Sequence, residues 1–320
     1  GRKESGGSFR GGTRGSASLA RGMSSNRMHA SNACLEGLNL KTLKEIGSDF
    51  WQIRADFKIL GGLFNLKTHM GIVRISSGPD EGKFLILSAV KLTPEMKRDL
   101  DLLTNDGKKI AAVIGTHPFH TLAFPALYEK YPNAKFYGTP RHLRVLPQIK
   151  WEGETMASKG LWAPDLDMKI PAGAEYDDPK PPKSNHFSNV IVFHKTSRSI
   201  FVDDTILCLD NPGLVLRLLG FKSGKLYFHP SIKGPGLYHT KEAPLDFQRF
   251  IYQLLEEWHF DHICCAHTSN VLENGREKLA ELIRSSEPML KKLSERNANS
   301  KAPPKDCGDM DPSSSTPECG

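Results

Sequence analysis

Cysteine is scarce in this chain and never occurs at the spacing of a metal-binding pair. The 320 residues contain six cysteines and no Cys-x-x-Cys motif. Three cysteines lie toward the ends of the chain, while Cys208, Cys264 and Cys265 lie in apolar, strand-like runs. This usage favours reduced thiols in an intracellular protein over a disulfide framework or a thiolate metal site.

Long apolar runs and several common catalytic motifs are also missing. No apolar stretch reaches the roughly 18 residues of a transmembrane helix, which predicts a soluble protein without a membrane span. A Gly-x-Ser-x-Gly elbow, a P-loop and a Gly-x-Gly-x-x-Gly motif after a strand are absent. Serine-hydrolase and dinucleotide-binding chemistry therefore have no support in the sequence.

Acidic residues are nearly absent from the first thirty positions. Six Arg or Lys residues against the single acid Glu4 give residues 1–30 a charge of +5, so only +2 of the formal net charge of +7 belongs to residues 31–320. The rest of the chain is close to neutral and lacks the basic excess from which a nucleic-acid surface is built. We expect no nucleic-acid partner.

The two ends of the chain differ in composition from its middle. Residues 1–35 are rich in Gly, Ser and Arg, which predicts a disordered tail. The same composition describes an organellar transit segment, so the expected location is cytoplasmic or organellar. Residues 296–320 are rich in Pro and Ser and predict a second disordered tail. Residues 36–295 are then a single globular domain.

Between the tails, strands and helices follow one another in two similar halves. The first half predicts strands at 50–59, 71–76 and 84–90, joined as an antiparallel meander, and a buried strand at 110–114. A helix begins at Pro94 with Thr93 as its N-cap. The second half predicts strands at 190–193, 199–209 and 260–266 and helices at 247–258 and 274–293. This order favours an α/β fold, a four-layer αββα sandwich with mixed sheets.

Histidine and aspartate recur where the predicted strands end. Two histidines follow the strand at 110–114, His186 precedes the strand at 190–193, an Asp-Asp pair interrupts the run 199–209, and His267 follows the strand at 260–266. Strand ends at one rim of a sandwich can converge on one point. Imidazole and carboxylate together suit zinc, and also iron or manganese.

The order of these residues resembles the metallo-β-lactamase superfamily over residues 49–290. The first motif of that family, Thr-His-x-His-x-Asp-His, aligns with Thr116–Leu122, where only the leading Thr and His117 are kept. Phe119, Thr121 and Leu122 replace the other three motif residues, and His120 is one place out of register. His186, Asp204 and His267 match the later motifs, with Asp203 where the family has Gly.

The resemblance implies the αββα fold and a metal centre with an altered first motif. Its ligands are expected among His117, His186, Asp204 and His267, with His120 as a further candidate, and they are expected to hold one ion, zinc or else iron or manganese. Metal-activated water would hydrolyse a small ester, thioester, lactone or phosphoester. Asp204 or Asp203 would orient that water or accept its proton.

Alternatives remain open at this level. The fold could persist as a binding or scaffold module without metal, or carry a non-haem iron oxidoreductase site. Asp203 and Asp204 could equally form a turn and cap pair, and His120 could be an ordinary residue ahead of a helix. The sequence leaves open whether the protein is an enzyme and what its oligomeric state is.

Candidate substrate contacts lie outside the ligand motifs. A long segment at 226–241 contains His229 and Tyr238 and could cover the site as a lid, or pack as an insertion on its own aromatic side chains. Arg141 could bind an anionic small-molecule substrate at the same rim, or remain solvated.

Overall fold

The computed structural model describes Gly1 and residues 38–59, 64–209, 222–267 and 269–300. The tail predicted at 1–35 lies outside the described residues except for Gly1, and so does 301–320. The last helix continues through Asn299, into the segment assigned to the C-terminal tail. The globular boundaries at 36 and 295 stay predictions.

Short strands and five helices make up the regular structure of the described residues. The helices are α1 (Pro94–Thr104), α2 (Phe124–Lys130), α3 (Pro140–Val145), α4 (Ala243–Glu257) and α5 (Gly275–Asn299), with 3-10 turns at Lys159–Trp162 and Pro230–Lys233. The strands are β1 (Leu43–Gly47), β2 (Phe50–Ala55), β3 (Lys58–Ile59), β4 (Phe64–Asn65), β5 (Thr68–Arg74), β6 (Phe84–Leu87), β7 (Ile110–Ile114), β8 (Lys135–Gly138), β9 (Trp151–Glu154), β10 (Leu166–Lys169), β11 (Ile191–His194), β12 (Ser199–Val202), β13 (Ile206–Leu209), β14 (Lys225–Phe228), β15 (His262–Cys265) and β16 (Asn270–Val271).

Two sheets carry most of these strands. The larger runs β1-β2-β5-β6-β7-β8-β9 and the smaller β10-β11-β12-β15-β16. The pairs β2–β5 and β5–β6 are antiparallel, which confirms the predicted meander, whereas β6 to β9 pair in parallel. In the smaller sheet β12 and β15 are parallel neighbours between antiparallel pairs. Both sheets are therefore mixed, as predicted.

Side chains of the central strands point alternately to the two faces of the sheet, and this divides the apolar core into layers. In β6, Phe84 and Ile86 belong to a cluster with Leu100 of α1 and Leu127 of α2, while Leu85 belongs to a cluster that also contains residues of the smaller sheet. Successive strand residues point to opposite faces, so one face meets the helices and the other meets the second sheet.

The smaller sheet is layered in the same way. Ile200 and Val202 of β12 pack with Phe247 of α4 and Leu279 of α5, whereas Phe201 packs between the sheets. Helices thus cover the outer face of each sheet, and the two inner faces meet. The chain has a four-layer αββα sandwich, as the sequence predicted.

Local helix signals in the sequence were reliable. The side chain of Thr93 accepts a hydrogen bond from the N–H of Met96 at 3.2 Å, with Pro94 in the first turn of α1. The apolar period of 247–258 is the buried face of α4. Both predictions are confirmed, because caps and amphipathic faces depend on near neighbours in sequence.

Three expectations about strands were wrong. The run 199–209 is two strands, because the chain turns at residues 203–205 and β13 pairs with β14 in a separate two-stranded sheet. The strand predicted at 84–90 ends at Leu87, where Ser88 adopts a positive φ of 62°. The strand predicted at 50–59 is also two strands, because β2 ends at Ala55 and β3 pairs with β4 in another two-stranded sheet.

Candidate metal centre

The sandwich brings the candidate ligands to one rim. Val202 of β12 lies opposite Cys265 of β15 in their parallel ladder, so the residues that follow each strand leave the sheet side by side. From the other sheet, the segment after β7 joins them through the carbonyl of Thr116, which accepts a hydrogen bond from Val190 N–H at 2.7 Å. This link places His117 beside the segment that carries His186.

Asp204 lies at the centre of four histidines. Its side chain is 3% exposed, and every contact below joins one of its carboxylate oxygens to an imidazole nitrogen. The distances are 3.0 Å to His267 Nε2, 3.3 Å to His117 Nε2, 3.5 Å to His120 Nε2 and 3.7 Å to His186 Nδ1. The structure brings together all five residues that the sequence suggested as ligands.

Two overlapping groups in this cluster have donor atoms close enough to share an ion. One contains His117, His186 and Asp204, the other His120, Asp204 and His267, with donor atoms within 4.8 Å of one another in each. Ligand atoms about 2.0–2.2 Å from a tetrahedral ion lie roughly 3.4 Å apart. The measured separations from Asp204 bracket that value, and the nitrogen and oxygen donors fit a zinc-type ion.

Burial and charge set the protonation of the cluster. Although burial opposes ionisation, His267 and His117 hold the pKa of Asp204 well below its usual range. Burial disfavours a charged His120 ring, yet Asp203 and Asp204 raise the pKa of His120 to about 10. Burial, reinforced by His120, lowers the pKa of His117 to about 3. Two ionised carboxylates thus lie inside the protein and stabilise positive charge, carried here by His120, at the position where a metal ion would replace its proton.

The ring orientations distinguish the four histidines. His267 Nδ1 lies 2.6 Å from the carbonyl of Lys67, and His186 Nε2 lies 2.9 Å from the carbonyl of Pro182. A carbonyl accepts only, so in each ring that nitrogen carries a proton, and the other nitrogen, which faces Asp204, is the one that would bind an ion.

His117 has the opposite arrangement. Its Nδ1 accepts the N–H of Phe119 at 3.1 Å, so the neutral ring carries its proton on Nε2, which lies 3.1 Å from the carbonyl of His186. Nε2 is also the nitrogen nearest Asp204. His117 would have to release the Phe119 contact to bind an ion through Nε2.

Asp203 lies behind His120, away from solvent. Its side chain is fully buried, with Oδ1 at 3.2 Å from His120 Nδ1 and at 3.4 Å from His69 Nε2. Its Oδ2 accepts the hydroxyl of Thr116 at 2.7 Å. Because a carboxylate accepts only, His120 Nδ1 carries a proton and Nε2 is the atom left to meet an ion.

His69 was not identified from the sequence. It lies fully buried on β5, stacked on Phe201 with ring centroids 4.0 Å apart, and burial lowers its pKa to about 4. The ring is therefore neutral at neutral pH. A histidine in an alternating strand suggests a solvent-facing position, and only the second sheet, which covers that face, makes it internal.

Of the three residues suggested as substrate contacts, two border the cluster around Asp204 and one does not. The Arg141 guanidinium lies 4.8 Å from the Phe119 ring centroid, and that ring stacks on His186 at 4.7 Å. Burial lowers the pKa of His229, which also feels the charges of Asp204 and His186. Tyr238 donates its hydroxyl to Glu175 Oε2 at 2.9 Å. Arg141 and His229 thus border the cluster, and Tyr238 is bonded to a neighbouring segment.

Comparisons with known proteins found similar solved structures at low identity. No protein-family model and no curated protein matches the sequence. Among solved structures, the chain is similar to the metallo-beta-lactamase FIM-1 from Pseudomonas aeruginosa in its mono-zinc form, with 16% identity, TM-score 0.47 and coverage of 81% of this chain and 96% of that one.

Two further structures are similar to the same extent. A metallo-beta-lactamase from Pontibacter korlensis has 12% identity and TM-score 0.45, over 76% of this chain and 98% of that chain. A mutant of a flavo di-iron protein from Thermotoga maritima has 12% identity and TM-score 0.45, over 75% of this chain and 60% of that chain.

The layered sheets and the rim of histidines and aspartates define the class of fold. The chain has a four-layer αββα sandwich with candidate metal-ligating groups at one rim, which confirms the αββα architecture inferred from the order of its motifs. None of the helices among the described residues is long and apolar enough to cross a membrane.

Proposed function

We propose that this chain is a metal-dependent hydrolase acting on a small ester, thioester, lactone or phosphoester. The observation that supports this most is the buried Asp204 carboxylate, whose oxygens lie 3.0–3.7 Å from nitrogens of four histidines. A buried carboxylate so surrounded is costly without a cation, and its donors match those of hydrolytic zinc sites.

The proposed primary ligands are His120, Asp204 and His267. Each presents a donor atom toward the same point, where the ion would replace the Nε2 proton of the charged His120 ring, and three protein ligands leave one tetrahedral position open, as in catalytic zinc sites. His186 and His117 complete the donor set on the other side of Asp204. Zinc is the proposed ion, with iron and manganese as the alternatives that the same donors accept.

The chemistry of the proposed site divides between the ion and the chain. When bound, the metal acidifies a water molecule and polarises the substrate oxygen. Asp204 is proposed to orient the water through the carboxylate oxygen not engaged as a ligand, or to take its proton. His229 and Tyr238 are proposed substrate contacts on the segment beside the site.

Metal analysis combined with a hydrolysis assay tests this function. Purified full-length chain, supplied separately with zinc, iron and manganese, should retain about one zinc per chain, because converging ligands give high affinity. The loaded protein should hydrolyse 4-nitrophenyl acetate or bis(4-nitrophenyl) phosphate faster than the metal-free protein. Less than about 0.2 metal per chain would exclude the proposal, and metal without hydrolysis would indicate a binding module. Retention of iron alone would favour an oxidoreductase.

Replacing Arg141 by glutamine should weaken binding of anionic substrates. Arg141 Nε is buried without a hydrogen-bond partner, and the guanidinium stacks on Phe119 beside His186. A charge-assisted hydrogen bond is worth about 1.5–3 kcal/mol, so we expect KM for bis(4-nitrophenyl) phosphate to rise about 10-fold or more.

The matched control is Arg144→Gln on the same helix, where the guanidinium is exposed and already paired with Asp177. That variant should leave KM unchanged. With the neutral probe 4-nitrophenyl acetate, neither variant should change KM. An equal KM change for both probes in Arg141→Gln would show that Arg141 supports the fold of the site rather than binding the anion.

A further inference from the structure

A chain of polar side chains crosses the space between the two sheets: hydrogen bonds link it from Arg54 to His69, His69 Nε2 lies 3.4 Å from Asp203, and Asp203 reaches His120. We name it the donor chain; its members, in order, are Arg54, Asn270, Gln52, His69 and Asp203. Gln52 and Arg54 lie on the inner face of β2, Arg54 is paired with His69 of β5, and Asn270 comes from β16 of the other sheet. None of the first four belongs to the candidate ligand set.

The direction of every hydrogen bond in the donor chain follows from its first member. A guanidinium has donors only, so Arg54 donates to Asn270 Oδ1. The amide of Asn270 is thereby oriented, and its Nδ2 donates to Gln52 Oε1 at 2.7 Å. Gln52 then has only its Nε2 left to donate to His69 Nδ1, at 2.8 Å.

The same direction continues from His69 into the metal centre. Because Nδ1 accepts, the neutral ring of His69 carries its proton on Nε2, which lies 3.4 Å from Asp203 Oδ1. That oxygen also faces His120 Nδ1 at 3.2 Å. The positive Arg54 at one end and the negative Asp203 at the other favour this direction over the reverse.

Arg54 also holds the second proposed ligand. Its guanidinium donates to the carbonyls of Cys265 at 2.7 Å and Ala266 at 3.2 Å, directly before His267. One half-buried arginine therefore acts on the segment of His267 through the backbone and on His120 through side chains.

We propose that the donor chain positions the metal ligands: it sets the tautomer of His69 and presents Asp203 to His120 so that His120 Nε2 faces the ion. Arg54, Asn270, Gln52 and His69 are positioning residues, and Asp203 acts through His120 rather than on substrate. The role of His120 as a ligand rests on the proposed function, whereas the direction of the donor chain does not.

A substitution at Asn270 that reverses which groups donate and which accept tests the direction of the hydrogen bonds in the donor chain. In Asn270→Asp the new carboxylate only accepts, so Gln52 must turn its Nε2 toward position 270 and its oxygen toward His69. His69 Nδ1 must then carry a proton. In the wild type, ¹⁵N spectra of the histidine rings of the metal-free full chain at pH 7.5, assigned with His69→Gln, should show His69 Nδ1 unprotonated.

The control for that spectrum is Asn105→Asp, which adds the same charge at an exposed position after α1 and should leave His69 unchanged. A protonated Nδ1 in the wild type, or an unprotonated one in Asn270→Asp, would overturn the proposal. Should Asn270→Asp not fold, Gln52→Met removes the donor, and a mixture of His69 tautomers is expected; a pure Nε2–H form would contradict the proposal equally.

A zinc titration tests the link to the ligand. Asp203→Asn should weaken zinc binding about 10–100-fold, as outer partners of ligating histidines do, while Asp165→Asn, a buried aspartate bonded to Ser76, should not change it. Equal zinc affinity of Asp203→Asn and wild type would overturn the positioning role. If the wild type binds no zinc, the proposed function fails, and the ring spectra still decide the direction of the donor chain.

Discussion

Replacing Asp204 by alanine should remove the metal from the protein. Asp204 is the one residue shared by both ligand groups, so its loss leaves neither group with a carboxylate. A four-ligand zinc site contributes about 10–16 kcal/mol, or roughly 3 kcal/mol for each ligand. We expect zinc affinity to fall at least about 100-fold, and metal-dependent hydrolysis to fall with it.

The measurement is zinc bound per chain against a competing chelator, with circular dichroism to confirm folding. Asp261→Ala is the matched control, because Asp261 is an exposed aspartate whose contact is with Arg198, and it should bind zinc as the wild type does. Asp204→Asn should also lose affinity, since the amide keeps the shape without the charge. Undiminished zinc in Asp204→Ala would show that the four histidines bind the ion without it.

Acid should destabilise the protein through a histidine that has no part in the metal centre. His194, at the end of β11, is 1% exposed; its Nδ1 lies 2.7 Å from Ser197 Oγ and its Nε2 is buried without a partner. Burial lowers its pKa to about 4, opposed weakly by Asp165. The stability from the neutral ring is complete above about pH 6.5 and is lost as pH falls toward 4.

The expected loss is about 3 kcal/mol at most. Urea unfolding of metal-free protein at pH 7.5 and 4.5 measures it, since His194→Gln should lose about 2–3 kcal/mol less than wild type on acidification. His259→Gln, at an exposed histidine, should behave as the wild type. If His194→Gln lost as much free energy of unfolding between pH 7.5 and 4.5 as the wild type, groups other than His194 would cause the acid sensitivity.

Asp204 and His194 illustrate that the residue type alone does not tell the role of an aspartate or a histidine. His194 and His267 both lie at strand ends, yet one is a buried structural residue and the other lies 3.0 Å from a shared carboxylate. The difference is the partner that folding brings to each ring. Spacing in sequence carries no information about that partner.

Fold prediction succeeded where the signal was local or periodic. The apolar run of β6 and the cap of α1 depend on neighbours within a few residues, and a strand and a helix start were predicted there. Prediction failed at 199–209, where apolar residues resume directly after Asp203 and Asp204 and a single strand was expected. The break there depends on a distant partner, because the hydroxyl of Thr205 donates to the carbonyl of Phe187.

The polar residues of the donor chain were missed for a related reason. Gln52 and Arg54 alternate with apolar residues along β2, a pattern typical of a strand with one solvated face. In the folded protein the smaller sheet covers that face, and Asn270, more than 200 positions away in the chain, supplies their hydrogen bonds.

The sequence by itself determined the layered α/β fold, the order of the candidate ligands and their location at strand ends. The tertiary structure decided that they converge on Asp204, that His120, unlike His117, donates a proton from its nitrogen remote from Asp204, and that Asp203 stands behind His120 to accept it. Convergence depends on the register between β12 and β15 and on the approach of the two sheets. Ring orientation depends on hydrogen-bond partners brought from distant segments, and neither is encoded in local spacing.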